Sequence, residues 1–288
     1  MNQFNYWLTT AQLPADTNTI TPFPEKVDVA VVGAGYTGLS AAYTLAKQGV
    51  SVAVLEAESI GWGASSRNGG MALTGLKLPM QTVIKRYGRG LARELFQCSL
   101  DSVSLVEQIV NEESIDCGFA RTGHLLVANK PGHYEALKGE VEFMAKEFDH
   151  RVRLVPPKDL GSEIGSAVYH GGLVDEVSGG LNPAQYVAGL ARAAEKAGAG
   201  LHARARVDRI ERRQKRFHIQ TERGSLSAES VLMATAGYTG SVTRKLQRKV
   251  IPIGSFIIAT ERLPERLARE LSPKDRMIFD FKHYLNYF

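Results

Sequence analysis

Val27-Asp28-Val29-Ala30-Val31-Val32-Gly33-Ala34-Gly35-Tyr36-Thr37-Gly38, with the following stretch Leu39 to Glu56, decides the fold. Residues 27–32 are β-branched and almost wholly apolar, the composition of a strand buried in a parallel sheet. Leu39, Ala42, Tyr43 and Ala46 then recur at helical spacing, and Gly49 supplies a stop. Ser51 to Glu56 reads as a second buried strand. Strand, glycine turn, helix and strand within about 30 residues form a βαβ unit.

The turn matches G-x-G-x-x-G in the context that gives the motif its meaning. Gly33 permits the tight turn, Gly35 admits a pyrophosphate close to the backbone, and Gly38 allows close packing of helix on strand. A helix start favours negative charge through its free N–H groups and dipole. Glu56 closes the second strand 23 residues after Gly33. Its carboxylate suits a ribose diol and repels a 2′-phosphate, which disfavours NADP. Turn and carboxylate alone admit either NAD or FAD.

The residues after Glu56 move the reading towards FAD. Ala57-Glu58-Ser59-Ile60-Gly61-Trp62-Gly63-Ala64-Ser65-Ser66-Arg67-Asn68-Gly69-Gly70 form a loop of small residues with one arginine, where a simple nicotinamide dehydrogenase would enter its next helix. Small residues let a backbone lie flat against a large planar ligand, and Arg67 offers charge to a phosphate or a reduced ring.

Further along, helical patterns dominate from Met80 to Glu113, with Leu91, Leu95, Val103, Val106 and Val110 on the apolar face. Residues 117–129 read as strand and 131–148 as helix. Asn182 is a good N-cap, Pro183 suits the first helical position, and a helix is expected to a stop at Gly198. Strands are expected near 201–210, 216–221, 228–235 and 250–260, a short helix over Pro264–Leu271, and a strand over Tyr284–Phe288. The basic run Arg204 to Arg216 reads as a solvated hairpin, because Val207, Ile210, Phe217 and Ile219 give it an apolar side.

The 288 residues carry 35 basic and 30 acidic side chains, a net charge of +5, too small an excess to argue for nucleic acid. Cys98 and Cys117 form no CxxC spacing, the seven histidines form no HxH or HExxH pair, and no metal site is expected. No apolar run has the length of a membrane span and no signal peptide is evident, so a cytoplasmic setting is expected.

The sequence resembles the D-amino-acid-oxidase-type FAD oxidoreductases, of the glycine-oxidase, sarcosine-oxidase and D-amino-acid-dehydrogenase superfamily, and is nearest to the gamma-glutamylputrescine oxidase branch. The stretches that carry the resemblance are VVGAGYTGLSAAYTLAKQG, VLEAESIGWGASSRNGG, GGLNPAQYVAGLARAAEKAG, VLMATAGYTG and IPIGSFIIATERLPE. It implies an α/β fold: a Rossmann-like FAD-binding domain with an inserted α+β substrate domain, incomplete at the C-terminus. The implied organisation is a lead-in (1–26), an FAD-binding first part (27–80), a substrate-side helical region (81–180), an FAD-binding second part (181–248) and the start of a substrate-domain sheet (249–288).

The resemblance also implies roles. Gly33, Gly35 and Gly38 would hold the pyrophosphate and Glu56 the adenosine ribose, with Tyr36, Thr37 and Ala57 as further cofactor-binding residues. Gly63, Ala64, Ser65, Arg67, Asn68, Gly69 and Gly70 would line the ribityl and flavin end. Val207 would meet adenine through its backbone, and Ala236 and Gly237 would approach from another side; the competing reading of these three is plain β-core and turn. The implied reaction oxidises a small-molecule amine by hydride transfer from Cα to flavin N5, with electrons passed to oxygen or another acceptor. No catalytic side chain is assigned, since the flavin carries the chemistry. An NAD-dependent dehydrogenase and a catalytically incomplete FAD-binding fragment are the competing readings.

Two departures stand out. The family often carries a histidine-containing version of Gly179-Gly180-Leu181-Asn182-Pro183, so the substrate is left open. Relatives continue beyond Phe288, so the ring end of the site is expected to be incomplete. Tyr169, His170, Tyr238, Phe256 and Tyr284 are candidate substrate contacts, each with core or surface as its competing reading.

Overall fold

The computed structural model describes residues 4–13, 22–282 and 286–288. In chain order the elements are β1 (Lys26–Val32), α1 (Tyr36–Lys47), β2 (Val52–Leu55), β3 (Met71–Ala72), α2 (Met80–Tyr87), α3 (Arg89–Glu112), β4 (His124–Val127), α4 (Pro131–Phe148), β5 (Arg153–Val155), β6 (Gly172–Asp175), β7 (Gly179–Gly180), α5 (Pro183–Lys196), β8 (Gly200–His202), β9 (Val207–Arg213), β10 (Arg216–Thr221), β11 (Gly224–Met233), α6 (Arg244–Gln247), α7 (Glu265–Leu271) and β12 (Met277–Asp280). Two compact units result. The first gathers Met1–Asn68, Glu113–Cys117 and Pro183–Ile258; the second gathers Gly69–Glu112, Gly118–Asn182 and Ala259–Phe288.

The first unit is built on a sheet of order β8-β2-β1-β11-β10-β9. β8, β2, β1 and β11 run parallel, and β10 and β9 return antiparallel from β11. The apolar run 27–32 forms β1 because it is covered on both edges, by β2 and β11, and Ala30 and Val31 have no exposed surface. α1 packs on α5, an alanine-rich helix with ten buried residues. Val27, Val32, Leu55, Val207, Ile219 and Leu226 belong to one core cluster, with Ile210 and Phe217 against it. The basic run is therefore the β9–β10 hairpin with its apolar side turned inward.

The second unit carries a sheet of order β12-β4-β6-β5 and a small pair β3-β7. Leu125, Val127, Val155, Leu160, Ile164, Val174 and Ile278 form its apolar core.

Several expectations change in detail. The strand expected over 117–129 shrinks to β4, because Gly118 and Gly123 adopt φ of +60° and +73°. The run 201–210 splits at Arg204, φ +51°, into β8 and β9, which lie at opposite edges of the sheet. Residues 250–260 are not a strand: Pro252 lacks a ladder donor, no described strand pairs with them, and Ile251, Ile253, Phe256 and Ile258 are exposed. Of the strand expected over Tyr284–Phe288, Tyr284 lies outside the described residues, and Tyr287 makes an isolated bridge with Phe279.

Candidate functional site

The glycine turn joins β1 to α1. Gly33 has φ +106°, and a Cβ on it would lie 2.7 Å from the Ala234 carbonyl oxygen, so the chain just after β11 reaches the turn from its other side. A Cβ on Gly38 would lie 2.0 Å from the Gly33 carbonyl oxygen. Both positions admit only glycine without backbone movement. At Gly35, the N-cap of α1, a Cβ would meet Ser65 Oγ at 2.9 Å.

The loop after β2 folds back on this turn. Gly61 N–H donates to the Ala34 carbonyl at 3.1 Å, and Tyr36 N–H donates to Ser65 Oγ at 2.9 Å. A helix leaves its first N–H groups without partners in the helix, and Ser65 takes one of them. Glu56 accepts from Ala34 N–H through Oε2 at 2.8 Å and from Glu58 N–H through Oε1 at 2.9 Å. Each carboxylate oxygen keeps a further lone-pair direction, which suits two ribose hydroxyls. Ala57 follows in the same loop. Glu58 pairs with Arg204 and Arg206, each at 2.9 Å.

Other expected site residues fall as follows. The Tyr36 ring points away from the turn: its hydroxyl donates to the Pro183 carbonyl at 3.0 Å and meets the Asn68 side chain. Burial, reinforced by Tyr186 and Cys117, pushes this phenol above the usual tyrosine range, and burial with Cys117 pushes Tyr186 up to about 12. Both stay neutral hydroxyls. Thr37 is exposed on the first turn of α1. Gly63 precedes a 3₁₀ turn, Ala64–Ser66. Arg67 is exposed, with its guanidinium 4.6 Å from the centroid of the Trp62 ring, and Trp62 meets Tyr238 edge-on at 5.6 Å. Asn68 Nδ2 holds the carbonyls of Ala64 and Ser65, each at 3.1 Å. Val207 opens β9 with its side chain in the core; just before it, Ala205 N–H donates to the Glu56 carbonyl at 2.7 Å. Ala236 has φ +45°, and Gly237 faces open space.

Gly69 and Gly70 belong to the second unit. There a Cβ on Gly69 would meet Tyr287 Cε2 at 2.9 Å, and the Gly70 carbonyl accepts from Leu181 N–H at 2.9 Å. The described substrate candidates are divided between the two units. Tyr238 and Phe256 lie in the first unit, both exposed. Tyr169, packed on a core cluster, and the exposed His170 lie in the second.

Sequence reasoning missed two groups. Asn5 and Trp7 contact the loop 63–68 from the N-terminal arm, and only their polar–aromatic character in a polar lead-in signalled them. The second is a buried polar chain in the second unit. His150 Nε2 meets Asp175 Oδ2 at 2.7 Å, Thr74 Oγ1 donates to the same oxygen at 2.6 Å, and His124 Nδ1 meets Ser178 Oγ at 2.8 Å. Burial opposes the Asp175 charge, but the bonds from His150 and Thr74 outweigh it and hold this carboxyl below the usual range. Burial lowers His124. No histidine, cysteine and carboxylate group among the described residues is arranged to hold a metal, and no described helix is long and apolar enough to cross a membrane.

A family profile described as FAD dependent oxidoreductase (DAO) matches residues 28–287. The chain belongs to this family. FAD is the family's cofactor, and the glycine turn and the carboxylate of Glu56 fit its ADP portion. A gamma-glutamylputrescine oxidoreductase of Escherichia coli is 32% identical over 286 residues, 97% of this chain and 67% of that protein. A probable oxidoreductase OrdL of Haemophilus influenzae is 32% identical over 269 residues, covering 92% of this chain and 62% of that protein. This chain thus spans less than two thirds of the Haemophilus relative. Glycine oxidase from Geobacillus kaustophilus shares the fold with a TM-score of 0.63 at 23% identity, over 75% of this chain and 56% of that one. L-proline dehydrogenase from P. horikoshii does so with a TM-score of 0.65 at 21% identity, over 92% and 67%.

Proposed function

We propose that this protein is an FAD-dependent oxidoreductase of primary or secondary amines, with an amino acid or a gamma-glutamylputrescine-like compound as substrate. The observation that carries the reading is the turn at Gly33–Gly38 with Glu56 bonded to Ala34 N–H, in a chain 32% identical to a gamma-glutamylputrescine oxidoreductase. When bound, FAD supplies a two-electron acceptor that takes a hydride from the amine Cα, leaving an imine that water hydrolyses.

The chain's own residues bind and orient. The N–H groups at the start of α1 and the helix dipole hold the pyrophosphate. Glu56 offers its remaining lone-pair directions to the ribose hydroxyls while its bonds to Ala34 and Glu58 N–H keep its grip on the turn. Ser65 ties the loop 63–68 to α1. Arg67, whose charge rests on the Trp62 ring rather than on a carboxylate, is available to an anion at the loop surface. Val207 and the Ala236–Gly237 turn offer main chain to the adenine and ribityl portions. A neutral amine is the reactive form, since a protonated one has no lone pair to support loss of hydride.

The test is reconstitution of the 288-residue protein with FAD. Bound flavin absorption and turnover on a panel of gamma-glutamylputrescine, glycine, sarcosine and D-alanine, read as amine-dependent flavin bleaching, are the expected results. A colourless protein stabilised by NAD instead would overturn the cofactor reading. Bound flavin that no amine on the panel bleaches would overturn the amine reading.

A further inference from the structure

The loop of residues 63–68 is held from within chiefly by Asn68, whose Nδ2 donates to the carbonyls of Ala64 and Ser65 but leaves those of Ser66 and Asn68 to other partners. Its backbone bonds are long, Ser66 N–H to the Gly63 carbonyl at 3.4 Å and Arg67 N–H to the Ala64 carbonyl at 3.2 Å. Support arrives from outside, from the arm of residues 4–13. Asn5 Nδ2 donates to the Ser66 carbonyl at 2.9 Å and lies 3.3 Å from Ser66 Oγ. Trp7 Nε1 donates to the Asn68 carbonyl at 3.0 Å. The arm has its own anchors on α5: Gln185 Nε2 donates to the Thr10 carbonyl at 3.1 Å, and Arg192 Nη1 to the Gln12 carbonyl at 3.2 Å. Asn5 uses both ends of its amide, since Oδ1 accepts from Trp7 N–H at 3.1 Å and caps the arm's 3₁₀ turn, Tyr6–Thr9.

That 3₁₀ turn fully buries none of its side chains. An arm retained for apolar burial would insert one. What this arm offers the loop is two directed N–H donors, aimed at the carbonyls on either side of Arg67. Ser66, which receives one of them, has no exposed surface, so water does not replace the bond.

We propose that Asn5 and Trp7 are positioning residues of the cofactor site. They fix the carbonyls of Ser66 and Asn68, hence the turn from which Ser65 Oγ engages the start of α1. The arm preorganises the loop before the cofactor arrives. This rests on the reading of that loop as part of the FAD site.

Asn5→Asp keeps the acceptor that caps the arm and removes the donor to Ser66; Trp7→Phe keeps an aromatic ring and removes the donor to Asn68. Both variants and the wild type, as the full chain, are titrated with FAD, melted with and without FAD, and followed by hydrogen exchange without FAD. The expected results are a dissociation constant for FAD raised roughly 3- to 10-fold per variant, an apo melting point that falls by less than the holo one, and faster apo exchange at residues 64–68. Wild-type affinity together with wild-type exchange overturns the proposal while leaving the FAD site intact. An apo melting point that falls as far as the holo one makes the arm merely structural and also overturns it. Wild-type protein that takes no FAD removes the reading of the site itself.

Discussion

Replacing Gly38 with alanine puts a methyl carbon 2.0 Å from the Gly33 carbonyl oxygen and 3.1 Å from Val31 Cγ1. Non-bonded carbons rest about 3.5–4.0 Å apart, so helix and turn must separate by more than about 1 Å. Neither side yields easily. The Gly33 N–H is bonded to the Leu55 carbonyl at 2.9 Å, and Val31 is fully buried in β1. Overpacking costs about 1–3 kcal/mol, and rigid backbone puts this site at the upper end. Alanine returns about 1 kcal/mol of helix propensity, because Gly38 lies within α1. The net cost is about 2 kcal/mol, which lowers the melting point by roughly 4–8 °C in a chain of this size. The atoms displaced are those that face the pyrophosphate, so FAD affinity should fall at least tenfold. Calorimetry of apo protein and a flavin titration read the two effects separately. A Gly38→Ala protein that melts with the wild type and binds FAD as tightly would refute the packing argument.

Glu56→Gln retains one oxygen for Ala34 N–H or Glu58 N–H but loses the charge that holds both, so FAD affinity should drop roughly tenfold or more, by flavin titration. Glu163 is fully buried. Burial opposes its charge, but bonds from Lys274, Arg153 and Arg276 prevail and hold the carboxyl at about 2 against an ordinary 4.5. A depressed folded value gives stability that is present above pH 4.5 and lost as pH falls towards 2, up to roughly 3 kcal/mol. Urea unfolding across this range should show that slope in the wild type and a flatter one in Glu163→Gln. His202 is buried with neither ring nitrogen hydrogen-bonded, and burial, then Arg223, lowers its pKa. Its contribution is therefore complete above the ordinary value of 6.5 and erodes as pH falls below it. His202→Leu should melt higher than wild type at pH 5.5, by about 1 kcal/mol or more; an unchanged pH slope would rule this out.

The βαβ unit was legible because each of its signals is local. Val27–Val32, the three glycines, the stripe of Leu39, Ala42, Tyr43 and Ala46, and Glu56 are read within one window, and the structure follows them closely. The helices α4 and α5 were legible for the same reason, the second from its Asn182-Pro183 start. What depended on distant partners was not. Residues 250–260 have strand composition, yet a strand exists only beside another, and none of the described ones takes that place. The stop between β8 and β9 rests on one backbone angle at Arg204, a residue type that does not announce it. In the site, the chemistry of Glu56 and Ser65 was readable, but their bonds to Ala34 and Tyr36 N–H needed the loop's path. Asn5 and Trp7 lie about 60 residues from the carbonyls they hold, a separation that no local pattern reveals.

The place of β1 between β2 and β11 also has a consequence for biosynthesis. β2 emerges from the ribosome soon after β1, but Val32 O waits for Ala234 N–H, about 200 residues later. At about 5–20 residues per second this interval lasts roughly 10–40 s. Throughout it the nascent chain exposes one edge of β1 and the apolar face later covered by Ile219, Leu226 and Ala228. Meanwhile most of the second unit is synthesised. The glycine turn, written early in the chain, is thus among the last parts of its sheet to become enclosed.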